Sequence, residues 1–404
     1  MFKRIPGTRD ILPHEMSKWH ALEHVARRIF SLYNYVEIRP PLIEESRLFD
    51  RSLGEFAEIV QKQMFIIKHG EDSYALRPEG TASIVRAYIE NNLDKTTGFL
   101  KAYYMGPMFR LERPQKGRQR QFHHIGCEAI GSGAPGIDIE VIALADALLK
   151  EMHISGYRIV LNSLGCLHDK KALTDILKKD LAGKRQELCQ ECQGRFDKNI
   201  LRILDCKLDG CKEIVKGIDI GQRYLCNDCS GHFNAVKEGL DALGILYTVS
   251  PHLVRGLDYY TRTVFEIKHD SLGAQDAIGA GGRYDNLVEE LGGVPTASVG
   301  FAFGVERLLL VSQDVPEIPP EKLIYIVSLG EAAKRFSLTL AHALRRDGFR
   351  VDMDHEGKSL KGAMRKANDV SAAGALIIGD NELAKQCVMV KDMRTSQQRE
   401  IALA

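Results

Sequence analysis

Four glycine-bearing blocks gather most of the side chains able to act on a charged substrate. They are residues 76–81 (Leu-Arg-Pro-Glu-Gly-Thr), 106–113 (Gly-Pro-Met-Phe-Arg-Leu-Glu-Arg), 253–261 (Leu-Val-Arg-Gly-Leu-Asp-Tyr-Tyr-Thr) and 300–307 (Gly-Phe-Ala-Phe-Gly-Val-Glu-Arg). Arg110, Arg255 and Arg307 offer planar guanidinium forks that pair with phosphate oxygens and stay charged. Carboxylates at Glu79, Glu112 and Asp258 accompany them, with hydroxyls at Thr81, Tyr259 and Tyr260. Such a set suits a polyanion, a nucleoside triphosphate for example, together with a small zwitterion. No Gly-x-x-x-x-Gly-Lys-Ser/Thr sequence occurs, which disfavours a P-loop as the phosphate cradle.

The elements that must position these groups show in the apolar pattern. Residues 15–33 repeat Trp19, Leu22, Val25, Ile29 and Leu32 at helical spacing. Residues 35–44 alternate like a strand and meet Pro40 and Pro41, which suits a sheet edge. Alternation over 102–110, 121–129, 254–268 and 298–303 predicts a largely antiparallel sheet, and 305–311 turns into a helix. Residues 165–235, rich in Lys, Asp and Cys, interrupt this pattern as an insertion of short helices and turns. A proline-rich stretch at 312–321 reads as a linker. Beyond it, strands at 323–327, 350–354, 375–379 and 387–391 alternate with helices at 332–347 and 359–368, the rhythm of a small doubly wound domain. The predicted organisation is a core of 1–164 and 236–311, the insertion 165–235, the linker 312–321 and a terminal α/β domain of 322–404.

The chain of 404 residues is long enough for two or three domains. Its 44% apolar and 27% charged content is that of a globular protein, and no apolar run approaches the ~18 residues that span a bilayer. No secretion signal opens the chain, so a cytoplasmic location is expected. A net charge of +1 gives no global attraction to nucleic acid, and any such contact must come from local basic patches. Six of the nine cysteines fall within residues 189–229. The pairs Cys189–Cys192 and Cys226–Cys229 have the spacing of zinc knuckles, with Cys206 and Cys211 between them. The outer two pairs are the expected structural zinc set; Cys189, Cys192, Cys206 and Cys211 form an alternative, and free thiols remain open.

In their order and wording the four blocks resemble those of histidyl-tRNA synthetases, a class II synthetase family, and the resemblance runs nearly end to end. It implies an α+β class II catalytic core, an antiparallel sheet with flanking helices, plus an α/β anticodon-binding domain. It also implies formation of histidyl-adenylate from L-histidine and ATP with Mg2+, transfer of histidine to tRNA(His), and a homodimer built on the helix and proline-ended strand of residues 15–44. Arg110, before the basic loop of residues 113–120, matches the arginine of the second class II motif, which grips the α-phosphate. Glu112 and Phe122 match its adenine contacts. Arg307 matches the third motif, which contacts adenine and the γ-phosphate. Arg255 matches the arginine of the histidine-specific motif, opposite Arg110 across the α-phosphate. By the same carry-over, Glu79 and Thr81 hold the substrate ammonium, while Glu128, Tyr259 and Tyr260 face its imidazole. Residues 281–285 (Gly-Gly-Arg-Tyr-Asp) floor that pocket. Arg113 and Gln115 match positions that help recognise the extra 5′ guanosine of tRNA(His). Lys116 and Arg118 accompany them, and Lys358, Lys361, Arg365 and Lys366 offer a basic helix to an anticodon.

One residue departs from the pattern. The family usually has glutamine after Phe-His in this strand, and here His124 stands there. A protonated His124 would repel the ammonium, so histidine affinity is expected to weaken below about pH 6.5. The rival from another functional class is the non-catalytic, histidine-binding regulatory subunit of ATP phosphoribosyltransferase. Such paralogues lack the anticodon domain and the Arg-Gly-Leu-Asp-Tyr-Tyr block, and this chain has both.

Overall fold

The computed structural model describes residues 2–403 apart from 55–56, 116, 219 and 313–320. The predicted linker therefore lies outside the described residues except at its two ends. The chain divides into two compact units, Met1–Glu317 and Ile318–Ala404.

The first unit is organised by an eight-stranded sheet. Across it run Val36–Glu37, Leu100–Phe109, Gln121–Ile130, Ser298–Gly304, Ala277–Arg283, Thr261–His269, Tyr157–Ser163 and Tyr247–Val249. All neighbours are antiparallel except the two outermost pairs. Apolar residues on one sheet face pack against the helices Pro13–Leu32 and Pro135–Glu151, joining Leu22, Val25 and Ile29 to Ile125, Val141 and Phe301. Leu32, expected on the buried stripe, is exposed at the end of its helix.

Two predicted strands change form. The stretch 35–44 breaks at its prolines: Val36–Glu37 edges the large sheet, while Ile43–Glu45 joins a separate three-stranded sheet. Arg77 bridges the break by donating to the carbonyls of Pro40 and Pro107, at 3.0 Å each. The stretch 254–268 is extended only from Thr261 onward. Residues 253–260 form an irregular loop, held because Asn162 donates to the Leu253 carbonyl at 2.9 Å, so the main chain does not pair there.

The insertion contains the helices Leu167–Leu181, Gln190–Lys198 and Asp209–Lys216, whose apolar residues Leu173, Leu177 and Val215 join one cluster with Phe49, Ile84, Tyr104 and Leu287 of the core. The return helix Asn227–Ala242 crosses the predicted boundary at 235 and packs on Pro135–Glu151, where His232 meets Asp138 at 3.3 Å.

The second unit is a five-stranded sheet in the order Arg350–Met353, Leu323–Ser328, Gly374–Ile378, Cys387–Asp392, Gln398–Ala402. The first three are parallel, and the last two return antiparallel. Helices Glu331–Arg346 and Leu360–Asp369 accompany them. Lys361, Arg365 and Lys366 are exposed on the latter, whereas Lys358 precedes the helix and pairs with Glu356.

Candidate active site

The hairpin Leu100–Phe109 and Gln121–Ile130 delivers one wall of a cleft of about 610 Å³. Just past the first strand, Arg110 donates from Nε to the Pro78 carbonyl at 2.9 Å, and its guanidinium lies 5.3 Å from the centre of the Phe122 ring. Glu112 stands 2.9 Å from Arg118 and 4.0 Å from Arg110. On the facing side, Arg307 opens the helix Val305–Val311 and donates from Nε to the Gly117 carbonyl at 3.0 Å. The Glu306 carboxylate accepts the His123 amide at 2.9 Å, which ties that helix to the hairpin. Arg255 reaches the cleft from the irregular loop and donates to Glu266 at 2.8 Å, while its Nε is buried without a partner. The three arginines, 197 residues apart in sequence from first to last (307 − 110), thus line one cavity with Glu112 and Phe122.

A second set is buried beneath the sheet surface. Glu128 is 1% exposed and accepts from Thr81 at 2.7 Å and from the Tyr284 hydroxyl at 2.6 Å. Burial pushes its carboxyl up to about 8, although both hydroxyl donors pull the other way. Gly300 makes room for it: a Cβ there would lie 1.9 Å from Glu128 Oε2. The Tyr259 ring packs 4.7 Å from Tyr260 and 5.7 Å from Tyr284. Glu79 accepts the amides of Thr81 and Ala82 at 2.6 and 2.9 Å, so it caps the helix Thr81–Glu90 in addition to any ligand it meets.

His124 packs 5.1 Å from Phe122, with a buried Nδ1 that has no partner. Burial holds its pKa well below the ordinary histidine value, and Arg110, Arg77 and Arg307 reinforce the shift. The expected loss of affinity through His124 protonation near pH 6.5 is therefore corrected: this ring stays neutral there.

Several contributors were not singled out from sequence. Glu266, the partner of Arg255, sits in the alternating strand Thr261–His269 and also meets Lys268 at 3.1 Å. By contrast, Tyr284 belongs to the 281–285 segment expected to floor the pocket, and its hydroxyl donates to Glu128 at 2.6 Å. From the insertion, Asn199 donates to Asp258 at 2.9 Å and Arg202 to the Gly256 carbonyl at 2.7 Å. Within the 281–285 segment, Arg283 is fully buried in ion pairs with Asp138 at 2.9 Å and Asp285 at 2.8 Å. Arg113 and Gln115 are exposed on the hairpin loop, where Gln115 and Arg118 exchange backbone hydrogen bonds; Lys116 lies outside the described residues.

The cysteines form two groups rather than the expected outer-pair set. Cys189 and Cys192 converge with Cys206 and Cys211, whereas Cys226 and Cys229 converge with Cys166 and Asp169. The cause is topological. Cys226 opens the helix that returns to the core, while residues 189–211 remain in the body of the insertion.

The chain matches known proteins along nearly its whole length. Residues 7–308 match the model of the histidyl-tRNA synthetase family and residues 323–404 that of an anticodon binding domain. A histidine–tRNA ligase of Halothermothrix orenii is 46% identical over 402 residues, spanning 98% of this chain and 96% of the relative. One from Natranaerobius thermophilus is 45% identical over the same shares. A solved apo histidyl-tRNA synthetase of S. aureus superposes with a TM-score of 0.83 at 35% identity, covering 100% of this chain and 98% of that one. With a family model over most of the first unit and relatives matched nearly end to end, this chain belongs to the histidyl-tRNA synthetase family.

Proposed function

We propose a division of labour among these residues for the ligation that the chain catalyses. L-histidine is activated with ATP to histidyl-adenylate and pyrophosphate, and the histidyl group then passes to the 3′ end of tRNA(His), releasing AMP. In the first step the substrate carboxylate oxygen bonds to the α-phosphorus, and the bond from that phosphorus to the bridging oxygen breaks as pyrophosphate leaves. An α-carboxyl with a pKa of about 3.5 is already ionised, so no general base is needed. Catalysis rests on positioning and charge stabilisation. Arg110 and Arg255 grip the α-phosphate from opposite sides, Arg307 takes the γ-phosphate and the adenine edge, and Phe122 and Glu112 seat the base. Mg2+ enters with ATP as part of the substrate complex. Glu79 and Thr81 receive the ammonium, with His124 beside them as a neutral acceptor. Glu128, Tyr259 and Tyr260 face the imidazole.

The observation that carries this reading is the convergence of Arg110, Arg255 and Arg307, from three distant segments, on one cleft. Histidine-dependent pyrophosphate exchange into ATP without tRNA tests it. Arg255→Ala is expected to lower the exchange rate by about 10²- to 10³-fold, the usual cost of one oxyanion-stabilising donor. Histidine binding without any exchange by the wild type would instead favour the regulatory subunit.

Arg113 and Gln115 read the acceptor end, and the exposed Lys361, Arg365 and Lys366 meet the anticodon arm. The chain works in the cytoplasm as a homodimer through its N-terminal helix and edge strand. No described helix is long and apolar enough to cross a membrane. Cys189, Cys192, Cys206 and Cys211, with ligand atoms all within 4.8 Å of one another, suit a structural zinc ion held by four thiolates. Such an ion would brace the wall of the cleft to which Cys206 contributes.

A further inference from the structure

The second cysteine group lies where the insertion leaves the core and returns to it. Cys166 stands at the N-terminal cap of the helix Leu167–Leu181, three residues after the strand Tyr157–Ser163. Cys226 caps the return helix Asn227–Ala242, and Cys229 lies one turn further along it. Asp169 bridges the two crossings, accepting the Cys166 amide at 3.3 Å and the Cys226 amide at 3.0 Å. It is fully buried, and Cys229 is 1% exposed. Nearby, the Tyr224 hydroxyl of the outgoing chain donates to the Ser163 carbonyl of the incoming one.

Three sulfurs and one carboxylate oxygen, all within 4.8 Å of one another, make up the four donors that a tetrahedral zinc shell needs. Around zinc, with Zn–S bonds of about 2.3 Å, the edges of such a tetrahedron measure about 3.8 Å, so only small side-chain shifts close the shell. The N-cap residues and first turns of two long helices, Leu167–Leu181 and Asn227–Ala242, supply all four donors. Gly165 holds a left-handed φ of +70°, and a Cβ there would lie 2.3 Å from Asp169 Cβ, so the tight exit from the sheet is what lets the carboxylate approach.

We propose that Cys166, Asp169, Cys226 and Cys229 bind a zinc ion that clasps the two chain crossings at the base of the insertion. The thiol protons leave to solvent as the ion binds, and no oxidant is involved. Thiolate-rich donors with one carboxylate select zinc over the harder cations. The site is separate from the four-cysteine group in the body of the insertion, and it rests on neither the reaction nor that group.

Metal analysis of protein purified without added zinc tests this. Cys226→Ser with Cys229→Ser is expected to hold one equivalent fewer than wild type, while Cys192→Ser with Cys211→Ser keeps the ion at the base. Asp169→Asn retains an oxygen for the two amides but is a poor ligand, and it should release one zinc to chelator at least tenfold faster. A capping role alone would leave its zinc retention at the wild-type level. Should the double variant fail to fold, zinc-edge absorption of the wild type still decides. An oxygen shell at about 2.0–2.2 Å that Asp169→Asn removes supports the site. A purely sulfur shell, or equal zinc in wild type and the double variant, overturns it.

Discussion

At the scale of single residues, Glu128 governs how the site responds to pH. Its carboxyl is pushed up to about 8 by burial, so over much of the neutral range it keeps a proton in the free protein. A neutral imidazole N–H bonds best to the ionised form, whose fraction grows as pH rises to that value. The KM for histidine is therefore expected to fall between pH 6.5 and about 8 and then level off. Glu128→Gln should raise that KM about 10- to 100-fold, the worth of a charge-assisted hydrogen bond of ~1.5–3 kcal/mol, and flatten the profile. Because His124 stays neutral throughout, His124→Gln should leave the shape of the profile unchanged. Steady-state exchange kinetics across pH decide both; a sloping profile in Glu128→Gln would count against the assignment. The identity of these residues was legible in the motifs, but their protonation was not. The shift on His124 arises from burial and from arginines that come from three separate segments.

Among elements, the insertion proves to be part of the site. Arg202 donates to the Gly256 carbonyl and Asn199 to Asp258, so the loop bearing Arg255 is held from outside the sheet. Arg202→Ala is expected to slow histidine-dependent exchange by about tenfold, in line with ~1–1.5 kcal/mol for a lost hydrogen bond, while the fold's thermal midpoint changes little. A rate equal to wild type would mean that the loop holds its own shape. The hairpin that brings in Arg110 and Glu128 was readable from the alternation over 102–110 and 121–129, although Ile125–Ile130 is buried on both faces. Residues 254–260 were misread as strand because Val254, Tyr259 and Tyr260 are buried without a ladder, and the loop's carbonyls accept from side chains instead, Leu253 from Asn162, Gly256 from Arg202 and Asp258 from Lys170. Cysteine spacing offered Cys206 and Cys211 as one choice of partners for Cys189 and Cys192, the grouping the structure has, but it gave none for Cys226 and Cys229 outside the run. Cys166 and Asp169 lie outside the dense run, and only the return of the chain brings them to Cys226.

For the whole molecule, the two compact units meet two different family models, residues 7–308 in the first and 323–404 in the second. A fragment of residues 1–317 is expected to retain histidine-dependent exchange within a few fold and to lose most charging of tRNA(His). Comparing exchange with aminoacylation on the same preparation checks this, and full charging by the fragment would remove the role given to Lys361, Arg365 and Lys366. The sheet order of the first unit carries a different consequence, one of timing during synthesis. Ser298–Gly304 is the last of its eight strands to be made, yet it lies between Gln121–Ile130 and Ala277–Arg283 near the middle. Until it emerges from the ribosome, the growing chain holds two half-sheets with open inner edges, which are templates for pairing with the wrong partner. Arg307 follows three residues later, so closure of the sheet and completion of the nucleotide cleft are nearly one event. A chain stalled short of residue 298 therefore has neither a closed sheet nor a completed cleft in which a ligand could stabilise it.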